Sequence, residues 1–546
     1  MCEIDGEIYI CERRLYVTII KTIKKDSKKG GINIRVYTKK TISLILTIIF
    51  LFSTYPIVSA DVTHLNQADF DPLVDVAVTV EIQKIRSLEK DDPKVHAKEE
   101  IDRFSDPDFF VKVFINDVES KSGIWRNTKY IYDPQWSATL DVPDDEEFVN
   151  ITIQLWDWNF GLNKLCDISS DSNGYLDSYD IELIYSIKSG HWWGDDFTSD
   201  EPTDADPSGY GRLNGCDDGS IYQKGRDCEL WFDIYQTDPD GDKIPYWTEV
   251  NIYGTDPEVD NTGEDADDDG VPIEWEHKWG HYYDSWHDEH YWVYGPFIYD
   301  NHSTLDPDQD GLDNVEEYRT SQWGSDPFRK DLFVELDQME EGPNGEKSSL
   351  LPEGSKELLR TAYDRQNIVY HLDDGCMGGS DTIPFDDLSS HDELQDLYLD
   401  YFLHGDSNNW RRGVFHYGLV VYQAEINGFV FWGGVGPYLD AYQISANGME
   451  EKARIPFINR DIAYASAYMH ECGHTLGIFH GNTPGCDDQE GKYPWQLDWW
   501  KWRPYVSVMN YGYMYNMVDY SDGSRGRNDF DDWNRIDLTF FQRDRW

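Results

Sequence analysis

His470 and His474 stand four residues apart in Met469-His470-Glu471-Cys472-Gly473-His474-Thr475-Leu476-Gly477-Ile478-Phe479-His480. That spacing stacks two imidazoles on one face of an α-helix, aimed at a common atom, and so requires a helix here. Gly477 can take the left-handed conformation that ends a helix, which lets the chain turn back and offer His480 from outside it. Three nitrogen donors about one point suit a zinc ion whose fourth position stays open, the layout of a reactive rather than a structural site. Glu471, beside the first histidine, is placed to take a proton from water in that position. A buried helix with internally bonded histidines is the plain alternative. The glycine and the third histidine, both needed for one geometry, weigh against it.

The extended pattern H-E-x-x-H-x-x-G-x-x-H resembles the metzincin superfamily of zinc metalloproteases. That family has a further mark, a tight turn carrying a methionine beneath the metal. Ser507-Val508-Met509-Asn510-Tyr511 looks like that turn with Met509 as its methionine, and Met514 and Met517 follow closely. The resemblance implies zinc ligation by His470, His474 and His480 and a general base at Glu471. It also puts Tyr511 where some members contact the zinc or the oxyanion, with a core tyrosine as the alternative. It covers about residues 329–546 and is specific at those two motifs. Within that span Asp331–Asp337, a helix led by Ser355 and Asn367–Leu372 read as a βαβ unit, and Gly413–Tyr422 as a third strand. Metzincins place an edge strand ahead of the active helix, where a substrate can add. Asp461 is the expected cap of that helix, and Asp532–Leu538 reads as a closing helix. His371 and His416 read as strand residues rather than ligands.

Three segments at residues 237–328 share one period of carboxylates: Asp238, Asp240, Asp242 and Glu249; Asp265, Asp267, Asp269 and Glu276; Asp306, Asp308, Asp310 and Glu317. Asp at loop positions 1, 3 and 5 with Glu at 12 wraps oxygens around a hard cation, so several structural calcium ions are expected. Gly270 and Gly311 hold the sharp-turn position, which Lys243 fills in the first loop. With Gly254-Thr255-Asp256-Pro257 and Gly324-Ser325-Asp326-Pro327 flanking it, the block resembles thrombospondin type 3 calcium repeats. It has little apolar content, so bound calcium is expected to supply much of its order.

Residues 61–236 alternate apolar and polar side chains over Val74–Ile82, Phe109–Ile115 and Val149–Trp156, between loops rich in Asp, Gly and Pro, the pattern of an all-β sandwich. Ser105–Val113 and Leu155–Asn159 resemble a strand start and a calcium loop of C2 domains. That resemblance implies calcium ligands at Asp102, Asp106, Asp157 and, less directly, Asp167, with Asn159 replacing a usual carboxylate; an acidic-looped sandwich without metal is the alternative. The fold class expected is therefore multidomain: a C2-like β-sandwich, a calcium-loop segment, and an α+β metzincin-like protease domain.

The chain of 546 residues carries a net charge of -57, which excludes nucleic acid or an anionic membrane as a simple electrostatic partner. Lys39-Lys40, an apolar run over Thr41–Phe52 and Val58-Ser59-Ala60 read as a secretory signal cleaved after Ala60, with an uncleaved anchor as the alternative. A secreted or cell-surface location follows. Six cysteines remain beyond residue 60, of which Cys216 with Cys228 is the favoured pair and Cys472 with Cys486 a second. The function expected is a secreted, calcium-stabilised zinc endopeptidase acting on protein or peptide. The rival readings are a calcium-dependent surface adhesion protein with a silent protease domain, and an aminopeptidase or amidase with the same zinc site.

Overall fold

The computed structural model describes residues 3–4, 7–8, 75–89, 101, 105–169, 179–195, 211–217, 226–284, 289–292, 301–425, 429–430 and 440–540. The expected signal segment and Asp102 lie outside them, apart from a short antiparallel pair, β1 (Glu3–Ile4) and β2 (Glu7–Ile8). The chain divides into two compact units, Met1–Asp69 and Phe70–Trp546. The three modules expected beyond the signal all belong to the second.

The N-terminal part of that unit is all β. Its strands are β3 (Ala77–Ser87), β4 (Phe109–Ile115), β5 (Val118–Lys121), β6 (Tyr130–Asp141), β7 (Phe148–Asp157), β8 (Lys164–Leu165), β9 (Ile181–Ser186), β10 (Trp192–Gly194), β11 (Arg212–Asn214) and β12 (Cys228–Gln236). One antiparallel sheet runs β10-β9-β7-β4-β5 with β8 on β7, the other β11-β12-β3-β6. The period of two explains the sandwich: Val78, Val80 and Ile82 of one sheet and Val111, Val113, Ile151 and Ile153 of the other are buried in a single core. A two-stranded ribbon, β13 (His281–Asp284) with β14 (Glu289–Trp292), follows in the acidic segment.

The C-terminal sheet is built differently. It comprises β15 (Asp331–Met339), β16 (Val369–Asp373), β17 (Thr382–Ile383), β18 (Phe415–Val421), β19 (Phe429–Val430) and β20 (Ala441–Ser445), in the order β16-β15-β18-β20-β19 with β17 also on β15. All pairings are parallel except β19 with β20. A parallel sheet buried on both faces needs near-continuous apolar strands, and β15 and β18 are of that kind. Leu332, Val334 and Leu336 pack against helices Glu353–Asp364 and Arg460–Thr475, while Phe333 packs with Tyr398 and Phe402 on the other face. On that second face Arg411 links neighbouring strands, its Nε on Glu335 at 2.5 Å and its Nη2 on Asp373 at 2.6 Å. Gly418 has no room for a side chain, since a Cβ there would lie 2.1 Å from the Tyr468 hydroxyl. That close approach seats the long helix on the sheet.

The βαβ unit and the strand within Gly413–Tyr422 form as expected, but that strand is interior, and among the described residues the sheet ends at β16 on one side and β19 on the other. Three details differ. The helix cap is Asn459, whose side chain accepts from Asp461 and Ile462 N–H. Ser355 lies inside a helix that starts after Pro352, and its hydroxyl donates to the Asp461 carbonyl. Residues 532–538 form turns, because Asp532 points inward to take hydrogen bonds from the Tyr505 and Ser507 hydroxyls instead of capping a helix. Neither favoured cysteine pair is joined: the Cys216 thiol faces Asp227 and that of Cys486 faces Asp487. Among the described residues no helix is long and apolar enough to cross a membrane.

Candidate active site and cation-binding loops

Helix Arg460–Thr475 ends as its sequence predicts. Gly477 is left-handed at φ 88°, the Ile478 N–H reaches the Gly473 carbonyl at 2.9 Å, and the Gly477 N–H reaches that of His474 at 3.2 Å. This double closure is the Schellman motif. It folds the Ile478 carbonyl back onto His474, whose Nδ1 lies 2.7 Å from it. His470 Nδ1 meets the Val508 carbonyl at 2.9 Å, and His480 Nδ1 meets that of Cys486 at 2.9 Å. A carbonyl can only accept, so each Nδ1 carries the ring proton and each neutral ring keeps its lone pair at Nε2. Three separate backbone carbonyls thus prepare three imidazoles as ligands.

The group that converges is His470, His474 and Asp487, with one ligand atom of each within 4.8 Å of the others. Asp487 Oδ1 stands 3.1 Å from His470 Nε2, and Oδ2 stands 3.4 Å from His474 Nε2. His480, expected as the third ligand, is not in this group; Asp487 stands on the two nitrogens instead. The reason is the loop after Gly477, which brings the Asp487 N–H to the Met509 carbonyl at 3.2 Å with Asp487 itself at φ 57°. A non-glycine residue held there stores strain, a frequent mark of functional positions. Burial opposes ionisation of both groups, yet their mutual pairing prevails, holding the Asp487 carboxyl far below its usual range and lifting His474 to about 9. The imidazoles and the carboxylate that share protons here could share a divalent cation in their place, and two His with one carboxylate form a known zinc donor set. The residues present therefore fit zinc.

Glu471 borders the same point, 4.0 Å from His470 Nε2 and 3% exposed. Burial, aided by Asp487 and opposed by His470 and His474, pushes its pKa up to about 7. Met509 supports the floor of the site: a Cβ on Gly473 would lie 2.7 Å from its Sδ and 2.9 Å from the Tyr520 hydroxyl. Gly473→Ala should therefore cost about 1–3 kcal/mol by overpacking and lower the melting temperature by several degrees, as checked by calorimetry. Tyr511 stacks on His470 with ring centres 5.5 Å apart, and its phenol is pushed up by burial, then by the Asp487 and Glu471 charges. The sequence reading missed Asp487, which lies in a loop of Gly, Pro and Asp with no fixed spacing to point to it.

In the acidic segment the structure brings together Asp238, Asp240 and Asp242; Asp265, Asp267 and Asp269; and Asp306, Asp308 and Asp310. Loop positions 4 and 6 are left-handed in all three: Gly241 and Lys243, Asp268 and Gly270, Gln309 and Gly311. The N–H of position 6 binds the position 1 carboxylate each time, at 2.8, 2.8 and 3.1 Å. The position 5 carboxylate accepts the N–H of position 7 and a second N–H from further along, that of Asn261, His302 or Asp331. This common geometry points one oxygen of several carboxylates inward without a donor: Asp238 Oδ1, Asp240 Oδ2, Asp267 Oδ2, Asp306 Oδ1 and Asp308 Oδ2. The loop glutamates Glu249, Glu276 and Glu317 are all buried. Burial and crowding by other carboxylates raise Asp242 to about 6, Glu249 to about 8 and Asp310 to about 7. Crowded, donor-poor oxygens of this kind fit a hard cation such as calcium.

The third loop is the most complete. Asp310, Glu317 and Asp331 form a further cluster, with both Glu317 carboxylate oxygens buried and unpartnered. Glu249 and Glu276 are not drawn into such a cluster; Glu249 accepts from Thr255, and Glu276 pairs with His302. Asp331 was not expected as a ligand. It opens β15, and its other oxygen bonds His371 Nε2 on β16. In the sandwich, Asp106 and Asp157 do not come together as a cation site among the described residues. Asp157 is engaged by the Asp108 N–H, the Asn159 amide and the Lys164 ammonium. Asp167 instead accepts from Ser169 N–H. His371 and His416 sit in strands, and His416 faces Asp440.

No family model and no curated protein matches the chain. Solved structures similar to it include a plant extended synaptotagmin 1 C2A domain, at 16% identity over 17% of this chain and 65% of that one, with a TM-score of 0.13. A structure described as a C2 domain shows 10% identity over 29% of this chain and 97% of that one, TM-score 0.16. The RIM C2A domain from Drosophila shows 11% identity over 22% and 98%, TM-score 0.14. At such scores the functional reading rests on the sites themselves.

Proposed function

We propose that this chain is a secreted zinc-dependent endopeptidase of the metzincin type, held in shape by calcium, with a C2-like sandwich and thrombospondin type 3-like loops ahead of the catalytic module. The observation that carries this reading is the convergence of His470, His474 and Asp487 beside the buried Glu471. A zinc ion bound there would lower the pKa of an adjacent water and polarise a substrate carbonyl. Glu471, its carboxyl lifted to about 7, is suited to accept a proton from water and to return it to the departing amine. The Tyr511 phenol, kept protonated by burial and neighbouring carboxylates, is suited to donate a hydrogen bond to the developing oxyanion. An extended peptide could add to the antiparallel edge at Phe429–Val430.

The test is hydrolysis of casein by the purified chain in calcium buffer, with and without a chelator that removes zinc and spares calcium. Activity lost on chelation and regained on adding zinc is the expected result. Absence of activity in zinc-loaded, calcium-replete, folded protein would overturn it. The third ligand is decided by metal content: Asp487→Ala should weaken zinc retention by about 10-fold or more if the carboxylate binds the metal directly. His480→Ala should do the same if the histidine closes in once zinc is present. Both are read by dialysis against a zinc indicator.

A further inference from the structure

A cavity of about 710 Å³ lies where the sandwich strands β3 and β12, the stretch after the third acidic loop and helix Glu353–Asp364 meet. Cavities between modules are favoured places for small ligands. Its charges set it apart from the rest of the chain. Arg86 and Arg212 in its wall are neutralised by Glu229 and Asp364, and Lys243 pairs with Asp233 at 3.3 Å. Lys84, Lys278 and Arg329 line the same cavity and make no salt bridge among the described residues. The Lys84 ammonium lies 4.4 Å from the Trp231 ring centre and that of Lys278 lies 4.5 Å from Trp279. Arg329 is 2% exposed; its Nη1 donates to the Arg212 carbonyl at 3.0 Å, while Nε and Nη2 have no acceptor. The Trp231 indole N–H is likewise buried without one.

The unmet groups at Arg329 and Trp231 are donors; the unmet acceptor on the same wall, Asp364 Oδ2, already faces Arg86 at 3.4 Å. Leaving a buried guanidinium half-satisfied is costly, and this chain has 104 acidic side chains against 47 basic ones from which a partner could have been drawn. Of the carboxylates that line the cavity, Asp233, Glu353, Glu357 and Asp364 are each bridged to another cation, which leaves Lys84, Lys278 and Arg329 without a salt bridge among the described residues and suits an anion from outside. Trp231, Trp279 and Trp323 supply flat apolar walls between the charges.

We propose that this cavity binds a small polyanion with a flat apolar body, a ring bearing phosphate, sulfate or carboxylate groups, held by Lys84, Lys278 and Arg329 against the tryptophans. Because the lining comes from all three modules, the bound anion ties them together, independently of the zinc site. The probe is benzene-1,3-disulfonate, a planar dianion that does not strip calcium, titrated into the full chain in calcium buffer at fixed ionic strength. The readouts are calorimetry and tryptophan fluorescence. One saturable site in or below the millimolar range is expected, with affinity at least about tenfold weaker in Lys84→Met and in Lys278→Met. The neutral benzene-1,3-disulfonamide should not bind. Near-ultraviolet circular dichroism checks each variant's fold, and the more exposed Lys278 keeps the test open if the Lys84 variant is unstable. No saturable binding, equal binding of the neutral compound, or affinity unchanged in the folded variants would overturn the proposal and leave a structural void.

Discussion

Glu471→Gln should cut peptide hydrolysis by about 10² to 10⁴-fold while leaving zinc content and melting temperature close to those of the parent chain. The substitution keeps the shape and removes the proton acceptor. Glu471 is 3% exposed on a helix fixed at both ends, by the Asn459 cap and by the turn at Gly477, so glutamine should occupy the same place. Its carboxylate stands 4.0 Å from His470 Nε2, near the metal point but outside the His470, His474 and Asp487 cluster. Metal retention and turnover should therefore separate: Glu471→Gln loses turnover and keeps zinc, whereas Asp487→Ala, if Asp487 is a ligand, loses both. Turnover of a fluorogenic peptide and zinc by atomic emission, measured on one preparation, give the result. Near-parental turnover in a zinc-loaded Glu471→Gln protein would remove Glu471 from the mechanism.

Removal of calcium should be the largest stability effect, and Asp331→Asn should reproduce the part of it that reaches the catalytic sheet. Any ion that binds only the folded chain stabilises it by mass action, about 2.7 kcal/mol for each site held at a hundred times its Kd. Asp331 matters beyond its own site because it begins β15, the strand that pairs with β16, β17 and β18. Without a cation, burial and the neighbouring Asp310 push its carboxyl well above the ordinary range, so ionised Asp331 and Glu317 destabilise the empty site. Asp331→Asn should lower the calcium stoichiometry by one and reduce the melting temperature in saturating calcium. In calcium-free buffer the gap to the parent should narrow or reverse, since asparagine relieves the repulsion. Asp238→Asn, in the first loop, should leave the catalytic sheet's transition in place. Equal melting of parent and Asp331→Asn in saturating calcium would exclude Asp331 from cation binding.

Local spacing made much of this legible in the sequence. His470 and His474 on one helical face, the turn at Gly477 and the 1-3-5 carboxylates of the loops are each fixed by backbone geometry within a dozen residues, and each forms. What stayed hidden depends on distant closure. Asp487 joins the histidines because its N–H meets the Met509 carbonyl, and Asp331 joins Glu317 only when β15 docks beside the third loop. The helix read over Asp532–Leu538 failed for the same reason: Tyr505 and Ser507, far back in the chain, take the carboxylate that would have capped it. At the sandwich acids the neighbours of Asp157 are likewise set by closure, since Lys164 reaches it from the next strand, β8.

Asp331 gives the acidic segment a direction. The three loops share one backbone path, and at its sixth position two use glycine while the first holds a lysine at φ 70°. Position 4 reverses that pattern, with Gly241 in the first loop and Asp268 and Gln309 in the others, so each loop carries one side chain in the left-handed region and the backbone cost is shared; what sets the third loop apart is the added carboxylate of Asp331. On the calcium reading the third loop, fastened to the catalytic sheet by Asp331, would fill first and empty last. A falling calcium concentration would then loosen the first two loops before it reaches the catalytic module, so the chain would come apart in stages.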